Sequence, residues 1–291
     1  RRQNEQPMVK PSACFAQRES TEHPSSKKPQ PKYRFAWRVS MRRSFHVTHT
    51  DSWEGQVPRS LCNSARSASG VLEREAPIAR GEHALKFITD EQGSDAWFSA
   101  RLGLATASCF SSILATVKSG EAAVRRNYRA RLVVERLTGK PISTFETDAM
   151  RLGREREPMA RAAYELRSGN WVTEVGFCRH DTLECGASAD GLVDPNGCIE
   201  CKCPGLSVHL DNLRSTTIPS EYVAQVQGVM WITERDYCDF VSFNPDFPEN
   251  LQLMVKRVPR DDKYISVLAL AVEQFLSEVC EEEAYFRKIA A

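Results

Sequence analysis

Two carboxylates and an ammonium group lie close together in one short stretch of the 291-residue chain. Asp190, Glu200 and Lys202 form the pattern D-x9-E-x-K within the segment CGASADGLVDPNGCIECKCP. Side chains alternate along a strand, so Glu200 and Lys202 project from the same face. A turn after Asp190 brings its carboxylate alongside them. Like charges this close raise each other's pKa and destabilise the site unless a cation lies between them.

Carboxylate oxygens select a hard cation, so the pattern predicts Mg²⁺, with Mn²⁺ able to substitute for it. Such an ion suits phosphodiester hydrolysis, because it activates water and neutralises charge that develops on the phosphate oxygens. Lys202 would orient the attacking water or stabilise the transition-state charge. The three residues alone are weak evidence, since acids and bases also alternate on solvated strand edges.

The elements that must position these residues are predicted to be interleaved helices and strands. Residues 121–137 and 147–167 are amphipathic and are followed by glycines, which predicts two helices. The sequence Asp-Pro-Asn-Gly at 194–197 lies between two apolar runs and predicts a β-hairpin. Further helices are predicted over 106–115, 219–235 and 265–288, and strands over 171–177, 238–243 and 251–258. This order favours an α/β (α+β) fold, with a mixed sheet flanked by helices.

The chain divides by composition into two parts. Residues 1–80 hold 15 Lys and Arg against 7 Asp and Glu, whereas residues 81–291 hold 24 against 31. The first part lacks regular apolar spacing and is predicted to be a disordered or non-native leader, with an organelle transit peptide as the alternative. Residues 81–291 are predicted to form one folded domain. No apolar run is long enough for a membrane span, and without an export signal a cytoplasmic location is expected.

The cysteines offer a different chemistry. Cys198, Cys201 and Cys203, with Cys178 and Cys185 nearby, are candidates for a zinc or iron–sulfur site. Cys198 and Cys201 would point to opposite faces of a regular strand, and no second C-x-x-C follows. The favoured interpretation is therefore that these residues are small buried hydrophobes with reduced thiols.

The sequence resembles the lambda-exonuclease family, also called the YqaJ viral recombinase family, within the restriction-endonuclease-like PD-(D/E)xK nucleases. Four blocks carry the resemblance in order: WFSARLGLATAS from residue 97, GREREPMARAAY from 153, ASADG with IECKCP between 186 and 204, and YVAQVQGVMWIT from 222. The resemblance implies a restriction-endonuclease-like central mixed β-sheet flanked by helices. Ala189 stands where the family usually has proline, which relaxes the turn but removes no functional group.

The resemblance also implies roles for individual residues. Asp190 and Glu200 would be metal ligands, with the main-chain carbonyl of Cys201 as a third contact, and Lys202 would be the catalytic lysine. Glu157 would be the additional acid near the metal and the attacking water, although a surface ion pair is its ordinary alternative. Four residues would hold substrate phosphate, including a terminal 5′-phosphate: Arg101, Ser108, Ser188 and Gln225.

The expected activity is that of a Mg²⁺-dependent 5′-to-3′ exonuclease acting on linear double-stranded DNA ends. The resemblance implies 3′ single strands for a single-strand annealing protein in phage-type homologous recombination. It also implies a homotrimeric ring around DNA, with Arg125, Arg126 and Arg129 as candidates for lining its channel. Two alternatives remain open here: a structure-specific or restriction-type endonuclease with the same catalytic residues, and a catalytically inactive protein that binds DNA ends.

Overall fold

Short strands alternate with helices along the part of the chain that the structure describes. The computed structural model describes residues 86–142, 147–193 and 195–290, so the predicted leader over 1–80 lies outside the described residues. The strands are β1 (Lys86–Ile88), β2 (Ala105–Thr106), β3 (Val172–Thr173), β4 (Phe177–Arg179), β5 (Cys185–Ala187), β6 (Gly191–Val193), β7 (Gly197–Lys202), β8 (Tyr237–Phe243) and β9 (Leu253–Pro259).

The helices are α1 (Asp95–Ala100), α2 (Phe110–Ile113), α3 (Ala123–Thr138), α4 (Asp148–Ser168), α5 (Leu206–Arg214), α6 (Val223–Thr233) and α7 (Asp262–Ala290). Single turns of 3₁₀-helix precede α2 and α6, at Ala107–Cys109 and Ser220–Tyr222. Among the residues that the structure describes, no helix combines the length and apolar character that crossing a membrane requires.

The strands form two mixed sheets. The four-stranded sheet has the order β1-β4-β5-β2, in which β2 runs parallel to β5 and the other neighbours are antiparallel. The five-stranded sheet has the order β3-β6-β7-β8-β9, in which β7 and β8 are parallel and the other pairs antiparallel. The predicted mixed α/β class is confirmed, with the strands divided between two hydrogen-bonded sheets.

Both faces of the five-stranded sheet are covered by helices. On one face, Ala160 and Tyr164 of α4 pack against Ile199 and Cys201 of β7. On the other face, Cys198 of β7 belongs to a larger core that includes residues of α3, α6 and α7. Alternate residues of β7 therefore face different helices, as the two-residue period of a strand requires.

The two long helices before the hairpin begin and end where their sequences predict. Thr147 caps the start of α4, because its hydroxyl accepts a hydrogen bond from the main-chain N–H of Met150 at 3.2 Å. Gly139 ends α3 and Gly169 ends α4, with φ angles of 64° and 71°. These left-handed conformations favour glycine over residues that carry a Cβ atom.

Two local predictions differ from the structure, and one helix was not predicted. The helix predicted over 106–115 is divided into the end of β2, a 3₁₀ turn and the short α2, because Ala105 and Thr106 pair with Cys185 and Gly186 of β5. The strand predicted over 171–177 is split between the two sheets. Helix α5 has no sequence prediction, and no side-chain cap among the described residues marks its start.

Helix α3 is fastened to the C-terminal helix α7 by a cluster of ion pairs. Arg125 donates to both carboxylate oxygens of Glu278, at 2.7 and 2.8 Å. Arg129 donates to Glu282 at 2.8 Å and also contacts Glu121. Two of the three arginines considered for lining a DNA channel are therefore committed to contacts within the fold.

Candidate active site

The segment that joins the two sheets carries the first candidate residues. Ser188 and Asp190 lie between β5 of the four-stranded sheet and β6 of the five-stranded sheet. The side-chain amide of Gln92 donates to the carbonyl of Ala189 at 2.8 Å and to the carbonyl of Val175 at 2.9 Å. These two bonds tie the segment to the chain that follows β1.

The hairpin of β6 and β7 brings Asp190 beside the other arm of the predicted pattern. Gly191 pairs with Ile199 in the antiparallel register. The main-chain N–H of Cys201 donates to Asp190 Oδ2 at 2.7 Å. The Asp190 carboxylate is therefore held at the end of the hairpin, level with Glu200 and Lys202, as the sequence pattern requires.

The Glu200 carboxylate is the most deeply buried group of the site, with 1% of the residue exposed. Its Oε1 accepts hydrogen bonds from Lys202 Nζ and from Gln225 Nε2 of α6, each at 2.5 Å. Its Oε2 is buried and has no hydrogen-bond partner among the described residues. A buried carboxylate oxygen without a partner is costly, so this atom is suited to a ligand.

Glu157 on α4 is a third carboxylate, near enough to Asp190 to feel its charge. Arg161, one turn further along the helix, donates to Glu157 Oε1 at 2.5 Å and to Glu174 at 2.8 Å. Burial and the charge of Asp190 raise the pKa of Glu157 to about 7, which the Arg161 cation opposes. The ion pair expected as the ordinary alternative is thus present, and the carboxylate still lies close enough to the site to interact with Asp190.

Burial and the neighbouring carboxylates likewise raise the pKa of Glu200 to about 8. Burial also raises the pKa of Asp190, while Lys202 and the N–H of Cys201 oppose that rise. For Lys202, burial lowers the pKa but the charges of Glu200 and Asp190 outweigh it, so the ammonium stays protonated. Its Nζ also lies 5.1 Å from the centre of the Tyr222 ring.

A hard cation fits this group of oxygens. Asp190 and Glu200 would hold it with their side chains, and Cys201 with its predicted main-chain carbonyl, while Glu200 Oε2 offers an oxygen that no other described residue contacts by a hydrogen bond. Within the described ranges, no set of three His, Cys, Asp or Glu side chains is close enough to hold a metal ion. The predicted ligands are two carboxylate side chains and one main-chain carbonyl. This set agrees with the usual coordination of Mg²⁺, which keeps waters and binds one or two carboxylates together with substrate phosphate.

The predicted phosphate-binding residues fall into two places. The Arg101 guanidinium lies 3.8 Å above the Trp97 ring, and the Trp97 indole N–H donates to the Ser188 hydroxyl at 3.0 Å. Ser108 is exposed and its hydroxyl lies 3.3 Å from that of Thr106. Gln225, in contrast, contacts Glu200 of the carboxylate cluster.

A cleft of about 540 Å³ is lined by Trp97 and by two of the carboxylates, Glu157 and Asp190. Arg154 and Arg161 also lie along it. A DNA strand end that entered this cleft would therefore contact the carboxylates of Glu157 and Asp190. It would also contact the Trp97 ring, against which the Arg101 guanidinium lies.

Sequence reasoning missed two residues that support the site. Gln92 and Tyr222 each contact a candidate residue or its main chain. Gln92 lies outside the four matching blocks, and Tyr222 lies inside them but has an ordinary surface explanation. Arg161 forms the ion pair with Glu157 that the sequence offered as the ordinary alternative. Trp97, the first residue of the first matching block, lies half-buried at the wall of the cleft.

The geometry does not favour the cluster of cysteines. Cys198 and Cys201 belong to different hydrophobic cores on opposite faces of β7. Eight cysteines in the described part of the chain are free, and most of them are buried. Their packing agrees with the interpretation of these residues as small hydrophobes.

Comparison with known proteins places these features in a family. Residues 96–236 match the YqaJ-like viral recombinase domain. The solved structure of an alkaline exonuclease from Laribacter hongkongensis, LHK-Exo, is 40% identical, covers 68% of this chain and 98% of that chain, and has a TM-score of 0.63. The chain belongs to the YqaJ-like viral recombinase family. The resemblance predicted from the sequence is confirmed.

Other comparisons agree with this membership. A structure of LHK-Exo in complex with dAMP is 39% identical, with the same coverage and a TM-score of 0.64. A phage-related exonuclease from Haemophilus somnus 129PT is 16% identical, covers 64% of this chain and 96% of that chain, and has a TM-score of 0.53, which supports the fold alone. A comparison with curated protein sequences gave no match. As a member of this family, the chain is a deoxyribonuclease of phage-type recombination.

Proposed function

We propose that this nuclease is a Mg²⁺-dependent exonuclease that digests linear double-stranded DNA from its 5′ ends. One observation carries the proposal. Asp190, Glu200 and Lys202 converge at the end of one hairpin, and Glu200 Oε2 is buried there with no hydrogen-bond partner in the part of the chain that the structure describes. The carboxylates suit a hard cation, and the adjoining cleft is lined by Trp97, whose ring lies against the Arg101 guanidinium, a group that suits phosphate.

Different residues of the chain would have different roles in phosphodiester hydrolysis. A bound Mg²⁺ would lower the pKa of a water molecule and neutralise charge on the phosphate oxygens. Lys202, protonated and paired with Glu200, would stabilise negative charge on the phosphorus-bound oxygens as the attacking oxygen approaches. Glu157, with a pKa of about 7, is suited to accept the proton of the attacking water at neutral or alkaline pH.

Recognition of the DNA end is proposed for the four predicted phosphate-binding residues. Arg101, Ser108 and Ser188 would hold the terminal 5′-phosphate, and Gln225 would link that phosphate to the carboxylate cluster. The similar protein LHK-Exo was solved with dAMP, a nucleoside 5′-monophosphate, which supports a site for such a group in this chain. A planar guanidinium binds phosphate through two parallel hydrogen bonds, which Arg101 has available.

The family resemblance supports two further proposals. The 3′ single strands would be passed to a single-strand annealing protein, and three copies would form a ring around DNA. Arg125 and Arg129 are engaged by acidic residues of α7, so they are poor candidates for the channel, while Arg126 is exposed on the same helix.

The decisive experiment is digestion of a linear duplex that carries a 5′-phosphate at one end only. With Mg²⁺, we expect loss of nucleotides from the strand that begins at the phosphorylated end, and no loss with EDTA. A covalently closed circle of the same sequence serves as the control. Cleavage of the circle would replace the exonuclease by the endonuclease alternative, and binding of ends without hydrolysis in Mg²⁺ or Mn²⁺ would indicate an inactive end-binding protein.

A further inference from the structure

A small cavity beside the proposed phosphate site contains a second arginine. The cavity has a volume of about 160 Å³ and lies between α1, α3 and the chain after α3. Arg101 and Arg131 both line it, together with Trp97, Thr106 and Glu135. This volume has room for several water molecules or for one tetrahedral anion.

Arg131 is placed in this cavity with unused hydrogen-bonding capacity. Its Nε is buried and has no hydrogen-bond partner among the described residues. Within the described ranges, its Nη2 donates to the thiol of Cys109 alone, at 3.6 Å, and sulfur is a weak acceptor. The guanidinium lies 4.7 Å from the centre of the Tyr128 ring, which fixes its plane without satisfying its donors.

Arg101 also has unused hydrogen-bond donors. Its guanidinium lies against the rings of Trp97 and Phe177, and over residues 86–142, 147–193 and 195–290 it has no ion pair or side-chain hydrogen bond. Burial lowers the pKa of Arg101 to about 10, and the positive charge of Arg131 contributes to that decrease. The Arg101 cation is therefore disfavoured in this cavity, and negative charge placed beside it would stabilise it.

The carboxylate in the cavity does not supply enough of that charge. Glu135 accepts hydrogen bonds from the main-chain N–H groups of Gly103, at 3.1 Å, and Ile142, at 3.3 Å. Its Oε1 lies 3.9 Å from Arg131 Nε, which is too far for a hydrogen bond. One carboxylate shared with two amides leaves the cavity with an excess positive charge.

We propose that Arg131 is a second phosphate-binding arginine, which holds the terminal 5′-phosphate together with Arg101 and so sets the preference for phosphorylated ends. The proposal rests on the proposed function and extends its end-recognition site. A terminal phosphate monoester carries nearly two negative charges at neutral pH, whereas each internal phosphodiester carries one. Two guanidinium groups therefore discriminate a 5′-phosphate from a 5′-hydroxyl or an internal phosphate.

The test measures end binding separately from cleavage. A fluorescent hairpin duplex with one open end, bearing either a 5′-phosphate or a 5′-hydroxyl, is titrated with the full chain in EDTA, and fluorescence anisotropy gives both Kd values. Initial rates on the same two hairpins are then measured with Mg²⁺. The variants are Arg131→Gln and Arg131→Lys, and the matched control is Arg214→Gln, whose side chain is 71% exposed on α5.

We expect Arg131→Gln to weaken binding of the phosphorylated hairpin about tenfold, because one charge-assisted contact is lost. Binding of the hydroxyl hairpin should not change. Arg131→Lys should lie between wild type and Arg131→Gln, since it keeps the charge but not the planar fork. Arg214→Gln should match wild type on both hairpins.

Two results would overturn the role of Arg131: an unchanged preference for the phosphorylated end, or equal losses on both hairpins. If Arg131→Gln does not fold, binding of the two hairpins by Arg131→Lys tests the role of Arg131. Failure of the proposed function is distinguishable, because wild-type protein would then bind both hairpins equally or fail to digest either one.

Discussion

Asp190 and Cys201 are joined across the hairpin by a hydrogen bond from a main-chain N–H to a carboxylate oxygen, 2.7 Å long. The bond depends on the backbone of Cys201 and not on its thiol, which packs into the core beneath α4. It holds a buried negative charge next to Glu200 without using the side chain of any third residue. A substitution at Asp190 can therefore remove the charge and still keep the hydrogen bond that positions the side chain.

Asp190→Asn is expected to abolish DNA hydrolysis while preserving the fold. The asparagine oxygen can still accept the Cys201 N–H, but the charge that attracts a cation is gone. We expect a loss in kcat of at least about 10²-fold to 10³-fold, the usual range for a preorganised charged or polar group in a transition state. Circular dichroism measures whether the fold is preserved, and nuclease rates measure the loss of hydrolysis. Asp211→Asn, 76% exposed on α5, is the control that should keep full activity, and a nearly active Asp190→Asn would refute the assignment.

The stability of the metal-free protein should fall as the pH rises from about 5 to about 9. Burial and neighbouring carboxylates raise the pKa of Glu157 to about 7 and of Glu200 to about 8, above their ordinary value of 4.5. In this window the folded chain binds more protons than the unfolded chain, so increasing pH favours unfolding. Mg²⁺ should remove this penalty, and its stabilising effect should be larger at pH 8.5 than at pH 6.

Thermal melting in EDTA and in Mg²⁺, measured across that pH range, tests the expectation. Glu200→Gln is the informative variant, because it removes a buried charge and should melt higher than wild type in EDTA at alkaline pH. A metal-free Tm that is independent of pH, or an equal Mg²⁺ effect at both pH values, would show that these carboxylates do not share the proposed cation.

Arg161→Gln should shift the pH dependence of cleavage to higher pH. Arg161 donates to Glu157 at 2.5 Å, and its charge lowers the pKa of that carboxyl group. Without the cation, Glu157 should lose its proton at higher pH, and the ascending limb of kcat/KM should move with it. Arg151→Gln on the same helix pairs with Asp148 and Glu155 and serves as the control. An unmoved limb would mean that Glu157 is not the group that accepts the proton.

Gln92→Leu should disturb the site through the chain that carries Ser188 and Asp190. The variant removes two hydrogen bonds, to the carbonyls of Val175 and Ala189. We expect a decrease of about 1–3 kcal/mol in the free energy of unfolding, since carbonyls near the junction lose their donor. We also expect kcat to fall more than KM changes. Urea unfolding and steady-state kinetics measure both, and wild-type kcat at reduced stability would limit Gln92 to a structural role.

The hairpin of β6 and β7 could be predicted because its signals are local. The sequence Asp-Pro-Asn-Gly at 194–197 and the alternation around Glu200 and Lys202 specify a turn and a strand face within a few residues. The antiparallel pairing of Gly191 with Ile199 agrees with that prediction. Helices α3 and α4 were predictable for the same reason, since their apolar spacing and terminal glycines are local features.

The remaining features depend on contacts between distant residues. Nothing near Gln92 indicates that its amide reaches Ala189, 97 residues away in the chain. Helix α5 buries His209 and Asn212 and exposes Leu206 and Val208, so its pattern is the reverse of an ordinary amphipathic helix. Arg131 has the sequence signature of a surface arginine, and only the packing of α3 against α1 and its neighbours places it in a cavity with Arg101.

Strand β7 packs hydrophobic residues into the core under α4 with one face and presents the reactive groups with the other. An insertion or deletion of a single residue in the short connection between β6 and β7 would exchange these two faces. Ile199 would then occupy the place of Glu200, and an acid would be forced among the apolar side chains of α4. The length of that connection therefore limits which loop grafts or shortened variants of this nuclease can retain either activity or a fold.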